Sequence, residues 1–235
     1  MQTQNFILCT AGFEVLCLGV QTGNLMNAKE KIMEEFIRQF IVKDCKDISV
    51  DSIAENIGMS KRTVYENFSS KNEIIRETLM HFLRIEHENI QRILEEEPNP
   101  LKQILLTSFT VIRNASQISV ARLNNLKKHY PEIADELIKV WADFSHEVTL
   151  KSYYRAQEEG YIFKDIAPEF LMALLLGGEK DPRQKTIRFM EKDFDILQLF
   201  SAHLFTIIRG VSTMKGVEIC DEYFRQMDKE MFKWK

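Results

Sequence analysis

The chain has 235 residues, a formal net charge of -4, 45% hydrophobic and 28% charged residues. This balance places it among globular rather than disordered chains, and the small acidic excess excludes a whole-chain attraction to nucleic acid, so any DNA contact must rest on a local patch. Nine glycines and four dispersed cysteines, Cys9, Cys17, Cys45 and Cys220, argue against phosphate-cradling loops, a disulfide framework or a zinc knuckle.

Residues 5–20 (NFILCTAGFEVLCLGV) are apolar but lack a basic n-region and hold Glu14 inside the run. They are also shorter than the roughly 20 apolar residues that cross a bilayer. Because Met26 directly precedes an amphipathic segment, residues 1–25 are expected to be a leader upstream of the natural start, or a flexible extension. From 27 to 42, Ile32, Met33, Phe36, Ile37, Phe40 and Ile41 recur at helical spacing opposite Lys29, Glu30, Glu34, Glu35 and Arg38, which predicts a first helix. Ser49 is placed to cap a helix over 50–57, Gly58 to end it with a positive φ, and Ser60 to cap another over 61–67. Ala54 is small where two axes would cross closely, and Ile53, Ile57, Met59 and Val64 supply the apolar contacts between them. Two short helices joined by a tight turn outline a helix-turn-helix.

A long helix follows from Lys71 to about residue 95, with Ile75, Leu79, Phe82, Leu83, Ile90 and Leu94 along one side, until Pro98 and Pro100 interrupt it. Further helices are predicted over 101–115, 120–130 and 131–159, the last closed by Gly160. Two strongly apolar helices cover 167–176 and 194–211, a short one 216–227, and the polar stretch 177–193 reads as a loop. No alternating β-branched run is bounded by turn signals, so the fold class is all-α.

The run S-K-R-T-V-Y-E-N-F-S-S-K adds specificity to the outline. In Ile53-Ala54, Gly58-Met59-Ser60, Thr63, Tyr65, Phe68, Lys71 and the pair Ile74-Ile75, the chain resembles the tetracycline-repressor (TetR) family of bacterial transcription regulators. The resemblance spans most of residues 27–227, strongly in the first quarter and loosely after it. It implies an N-terminal three-helix helix-turn-helix DNA-binding domain over 26–72, and a larger helical ligand-binding and dimerisation domain over 73–235. It also implies a cytoplasmic homodimer, double-stranded operator DNA and a small-molecule effector as partners, and repression as the usual output.

Within the motif, Arg62 and Thr63 are the candidates for base contact, because Arg can bond bidentately to guanine in the major groove. Lys61, Tyr65 and Lys71, with the hydroxyls of Ser49 and Ser60, suit phosphate oxygens. Glu66 departs from the neutral or basic residue often found there. For an effector, the mixture of aromatic and polar side chains along the middle helices nominates Phe109, Arg113, Arg122, Trp141, Phe144 and Tyr153, with His129, His146 and Tyr154 nearby in sequence. The pocket's place among these helices comes from the resemblance. None of the five histidines forms a zinc signature, and no catalytic or nucleotide-binding motif occurs. No enzyme activity, cofactor, metal or membrane partner is therefore expected; the alternative is a helical small-molecule-binding protein or enzyme without DNA binding.

Overall fold

The computed structural model describes residues 27–115, 118, 120–176 and 196–226. The segment 1–25 and the loop predicted over 177–193 lie outside the described residues. The described residues form ten helices: α1 (Ala28–Phe40), α2 (Val50–Asn56), α3 (Lys61–Asn67), α4 (Lys71–Glu96), α5 (Pro100–Ala115), α6 (Val120–His129), α7 (Pro131–Glu158), α8 (Pro168–Leu176), α9 (Ile196–Val211) and α10 (Met214–Gln226). No strand occurs among them, only an isolated antiparallel bridge between Ile162 and Ser212. The fold is all-α, and the predicted helix ends that fall within the described residues lie within two residues of the observed ones.

Local chemistry sets the helix starts. Asn27 Oδ1 accepts from the Glu30 amide and the Glu30 carboxylate accepts from the Asn27 amide, both at 2.9 Å, a reciprocal cap for α1. Ser70 Oγ accepts from the Glu73 amide at 3.2 Å, and the Glu73 carboxylate accepts from the amide and hydroxyl of Ser69 at 2.5 Å, fixing the start of α4. Gly58 (φ 66°) and Gly160 (φ 75°) turn the chain at the ends of α2 and α7 in a conformation that side chains with a Cβ rarely adopt.

The described residues divide into two compact units: those from 27 to 86 with those from 118 to 139, and those from 87 to 115 with those from 140 to 226. In the first, Ile32, Phe36, Phe40, Ile48, Ile53, Val64, Phe68, Ile74 and Ile75 share one core with Leu126, Ile133 and Ala134 from α6 and the start of α7. Polar ties reinforce that packing. Asn125 Nδ2 donates to Asp44 at 2.9 Å, and the Arg76 guanidinium grips both oxygens of Glu136 at 2.6 and 2.7 Å.

In the second unit, Leu101, Ile104 and Leu105 of α5 pack with Tyr153 and Ala156 of α7, Leu171 of α8, Leu204 and Ile208 of α9 and Cys220 of α10. Buried Gln103 donates Nε2 to the carbonyls of Leu94 (2.9 Å) and Glu97 (2.7 Å), while its Oε1 accepts from Ser152 Oγ at 3.0 Å, tying α4, α5 and α7. A clasp joins the end of α7 to the start of α10. Thr213 Oγ1 donates to the Gly160 carbonyl at 2.7 Å, the Thr213 amide to Tyr161 at 2.9 Å and Lys215 Nζ to Glu159 at 2.8 Å. Gly216 permits this approach, since a Cβ there would collide with the Tyr161 carbonyl oxygen.

Candidate nucleic-acid interface and effector site

Helix α3 is held from below by Val64, which is fully buried, and by Phe68 just beyond its end, which is nearly so. Each contributes about 2 kcal/mol of burial. Ser60 caps it: Oγ accepts from the Thr63 amide at 3.0 Å and lies 2.8 Å from Thr63 Oγ1. Ser49 does the same for α2, accepting from the Ser52 amide at 3.0 Å. The hydroxyls of Ser49 and Ser60 thus serve as caps, and Thr63, half-buried, has its hydroxyl engaged with Ser60.

A buried polar knot sets α2 against α1. Glu35, only 6% exposed, accepts from Arg38 Nε and Nη2 (2.7 Å each), Gln39 Nε2 (2.8 Å) and Asn56 Nδ2 (2.6 Å), while Gln39 Oε1 accepts from Ser52 Oγ at 3.1 Å. Burial alone would push the Glu35 carboxyl up, but the hydrogen bonds from Arg38, Asn56 and Gln39 outweigh it and hold the group below its ordinary value. The angle between the helices that precede α3 is therefore fixed by charge-assisted bonds as well as by packing.

The outward side of α3 carries Arg62, whose side chain is 89% exposed, and Tyr65, also exposed. Arg62 Nε donates to Glu66 Oε1 at 2.9 Å, one helical turn on. Lys61 Nζ lies 2.8 Å from Asp51, whose hydrogen bond raises the ammonium's pKa. Lys71 Nζ donates to the Lys46 carbonyl at 3.0 Å and sits 5.9 Å from the centre of the Tyr130 ring. The seven nominated residues therefore share one unit: Ser49 and Ser60 as caps, Lys61, Arg62 and Tyr65 projecting outward, and Thr63 and Lys71 partly enclosed.

The effector candidates do not all meet. Phe109 packs against Tyr223 and Phe224 with ring centres 5.6 and 5.4 Å apart, and Phe205 lies 3.8 Å from Phe224. Trp141 and Phe144 flank the His87 ring at 6.1 and 3.6 Å. Burial lowers the His87 pKa, and its Nε2 is buried without a partner. Tyr153 is 0% exposed, its hydroxyl has no partner, and burial pushes its pKa up; Ser201 Oγ is likewise buried and unpartnered. Arg113 is half-buried on α5. Arg122 belongs to the first unit, where Nη2 donates to the Val42 carbonyl at 3.2 Å. His129 is exposed on α6, Tyr154 donates to Glu169 at 2.7 Å on the surface, and the side chain of His146 lies outside the described residues.

His87, Ser201, Tyr223 and Phe224 were not among the sequence candidates. A signal existed for His87, which falls between Leu83 and Ile90 on the apolar stripe of α4. Among the described residues no group of His, Cys, Asp and Glu could hold a metal ion, and no helix is long and apolar enough to cross a membrane.

Residues 32–78, from α1 into α4, match the profile of bacterial regulatory proteins of the tetR family. Over that segment the chain is similar to the TetR family. Its fold is that of solved members and neighbours. The fatty acid degradation regulator FadR from Bacillus halodurans superposes with a TM-score of 0.57 at 13% identity, over 80% of this chain and 98% of that one. FadR from Bacillus subtilis in complex with stearoyl-CoA gives 0.57 at 14%, over 77% and 98%. The TetR-family regulator PfmR from Thermus thermophilus gives 0.56 at 22%, over 77% and 99%. No curated protein matches the chain in sequence.

Proposed function

We propose that this chain is a ligand-responsive transcriptional repressor that binds double-stranded operator DNA as a cytoplasmic homodimer and is released from it by a small molecule. One observation carries the DNA half: α3 is anchored inward by Val64 while Arg62 and Tyr65 project to solvent on a rigidly capped helix. Arg62 and Thr63 read base edges, the threonine through its methyl group now that its hydroxyl is engaged, and Lys61, Tyr65, Lys71, Ser49 and Ser60 hold phosphates. Residues 26–72 are the DNA-binding domain, braced by α6 and the start of α7. One seven-residue helix offers few contacts, so two copies pair through the apolar helices α8 and α9, placing reading helices in successive major grooves.

The effector half rests on the interior of the second unit, where Tyr153, within an apolar cluster, and Ser201, fully buried on α9, leave two hydroxyls unsatisfied. Buried polar groups are almost always paired, so a ligand with an apolar body and a hydrogen-bonding head would complete them. Phe109, Arg113, Trp141 and Phe144 supply the rest of that site. Effector binding then favours a dimer whose reading helices no longer match the operator.

The test selects genomic fragments on the intact protein and repeats binding from about 50 to 200 mM salt, where a phosphate-contacting dimer loses on the order of a thousandfold in affinity. Arg62→Ala combined with Tyr65→Ala is expected to abolish selection. Unchanged binding by that variant sinks the assignment of α3. Stearoyl-CoA, bound in one structural neighbour, is the first effector to add, with release of the selected fragment as the readout.

A further inference from the structure

We infer that Glu66 is a positioning and specificity-determining residue, which holds the Arg62 guanidinium in the orientation that reads guanine and withholds it from phosphates. The inference rests on the assignment of α3 as the DNA-reading helix. A free arginine on an exposed helix samples many rotamers, and ordering it on a base costs up to about 2 kcal/mol of side-chain entropy. Here Glu66, one turn further along α3, accepts from Nε at 2.9 Å. That bond uses the inner nitrogen of the fork and leaves Nη1 and Nη2, the outer pair, for a bidentate contact with guanine O6 and N7. Glu66 itself remains 57% exposed, so the pair stays accessible as a unit.

The same bond has a second effect. If Arg62 swings to the sugar-phosphate backbone it must abandon Glu66 or carry the carboxylate toward phosphate, and either is unfavourable. A major-groove base edge imposes no such choice. Glu66 therefore penalises non-specific contact more than specific contact, an element that discriminates by repulsion as well as attraction. Lys61, by contrast, pairs with Asp51 on the preceding helix, both side chains exposed, and stays available to phosphate oxygens of any sequence.

A duplex selected by the intact wild-type protein from a random pool is compared with its single-base variants and with random DNA, using wild type, Glu66→Gln, Glu66→Ala, Arg62→Ala and the double variant Arg62→Ala with Glu66→Ala. The expected result is a loss of about tenfold in the preference for guanine at one base pair of each half-site in both Glu66 variants. Random-DNA binding should tighten, with a salt slope steeper by about one. In the Arg62→Ala background, removing Glu66 should no longer alter base preference. Tightening by the same factor on selected and random DNA, in both backgrounds, overturns the inference and leaves Glu66 as a simple repulsive charge. Wild-type protein that binds DNA without sequence preference also overturns it. If wild-type protein binds no DNA with salt-dependent affinity, the DNA-reading assignment itself falls and the inference with it.

Discussion

The two units treat buried polar groups in opposite ways. In the first unit, Glu35, Gln39, Ser52 and Asn56 close on one another, each bond between 2.6 and 3.1 Å. In the second unit, Gln103 is equally well satisfied, yet Tyr153, in the apolar core, and Ser201, buried on α9, have hydroxyls with nothing to bond. A saturated network has one arrangement and is suited to presenting side chains at fixed positions. An unsaturated one carries a standing desolvation penalty, which a hydrogen-bonding ligand can relieve. The difference is what the proposed function requires: fixed presentation of α3 in the first unit and an interior that a ligand can complete in the second.

The contrast can be broken most severely at the clasp. Gly216→Ala places a methyl group against the Tyr161 carbonyl and within 2.9 Å of Ser212 Cβ, so the variant should lose about 3 kcal/mol in urea unfolding or fail to accumulate folded. Gly210→Ala, where a Cβ meets nothing within 4 Å, should be neutral or more stable by up to about 1 kcal/mol. Equal behaviour of the two would mean that the clasp is not close-packed.

Glu35→Ala leaves the donors of Arg38, Gln39 and Asn56 without their acceptor, and a loss of about 2 kcal/mol is expected. The carboxyl is held below its ordinary value of 4.5. Its contribution is therefore present at neutral pH and down to about that value, and it drains away as the pH falls further, through the lower folded pKa. Wild type should accordingly lose stability relative to Glu35→Ala on acidification. A stability difference constant from pH 7 to pH 3 would contradict the knot.

Tyr153→Phe has the opposite sign. Removing an unpartnered hydroxyl should raise the stability of the ligand-free protein by about 1 kcal/mol, read by thermal unfolding, whereas destabilisation would show that the hydroxyl has a partner. Arg76→Ala should have the smallest effect, roughly 0.5 kcal/mol, because its ion pair with Glu136 is largely solvent-exposed. A loss of several kcal/mol there would make the pair a principal brace of the reading unit.

Much of the fold was legible because its signals are local. Ser49, Gly58, Ser60 and Gly160 each act within a few residues of themselves, and caps and positive φ values leave a mark in sequence. The packing of α6 on the reading unit was not legible, since Asn125 and Asp44 are 81 residues apart and no periodicity connects them. The same holds within the candidate site. Spacing identified Arg62 and Tyr65 as outward-facing residues, but the engagement of Lys71 by the Lys46 carbonyl depends on a turn 25 residues away. Sequence position likewise does not reveal that Arg122 belongs to the first unit and the other effector candidates to the second.

The clasp between Tyr161 and Thr213 also bears on how the chain is made. Its hydrogen bonds join groups more than 50 residues apart, whereas those of the Glu35 knot span at most 21. A chain emerging from the ribosome can close the knot once α2 is out, but the Gly160 carbonyl waits for the Thr213 hydroxyl, which follows several seconds later at about 5 to 20 residues per second. During that interval Tyr153 and Ala156 of α7 have their α5 neighbours but lack the cover that Leu204, Ile208 and Cys220 later supply.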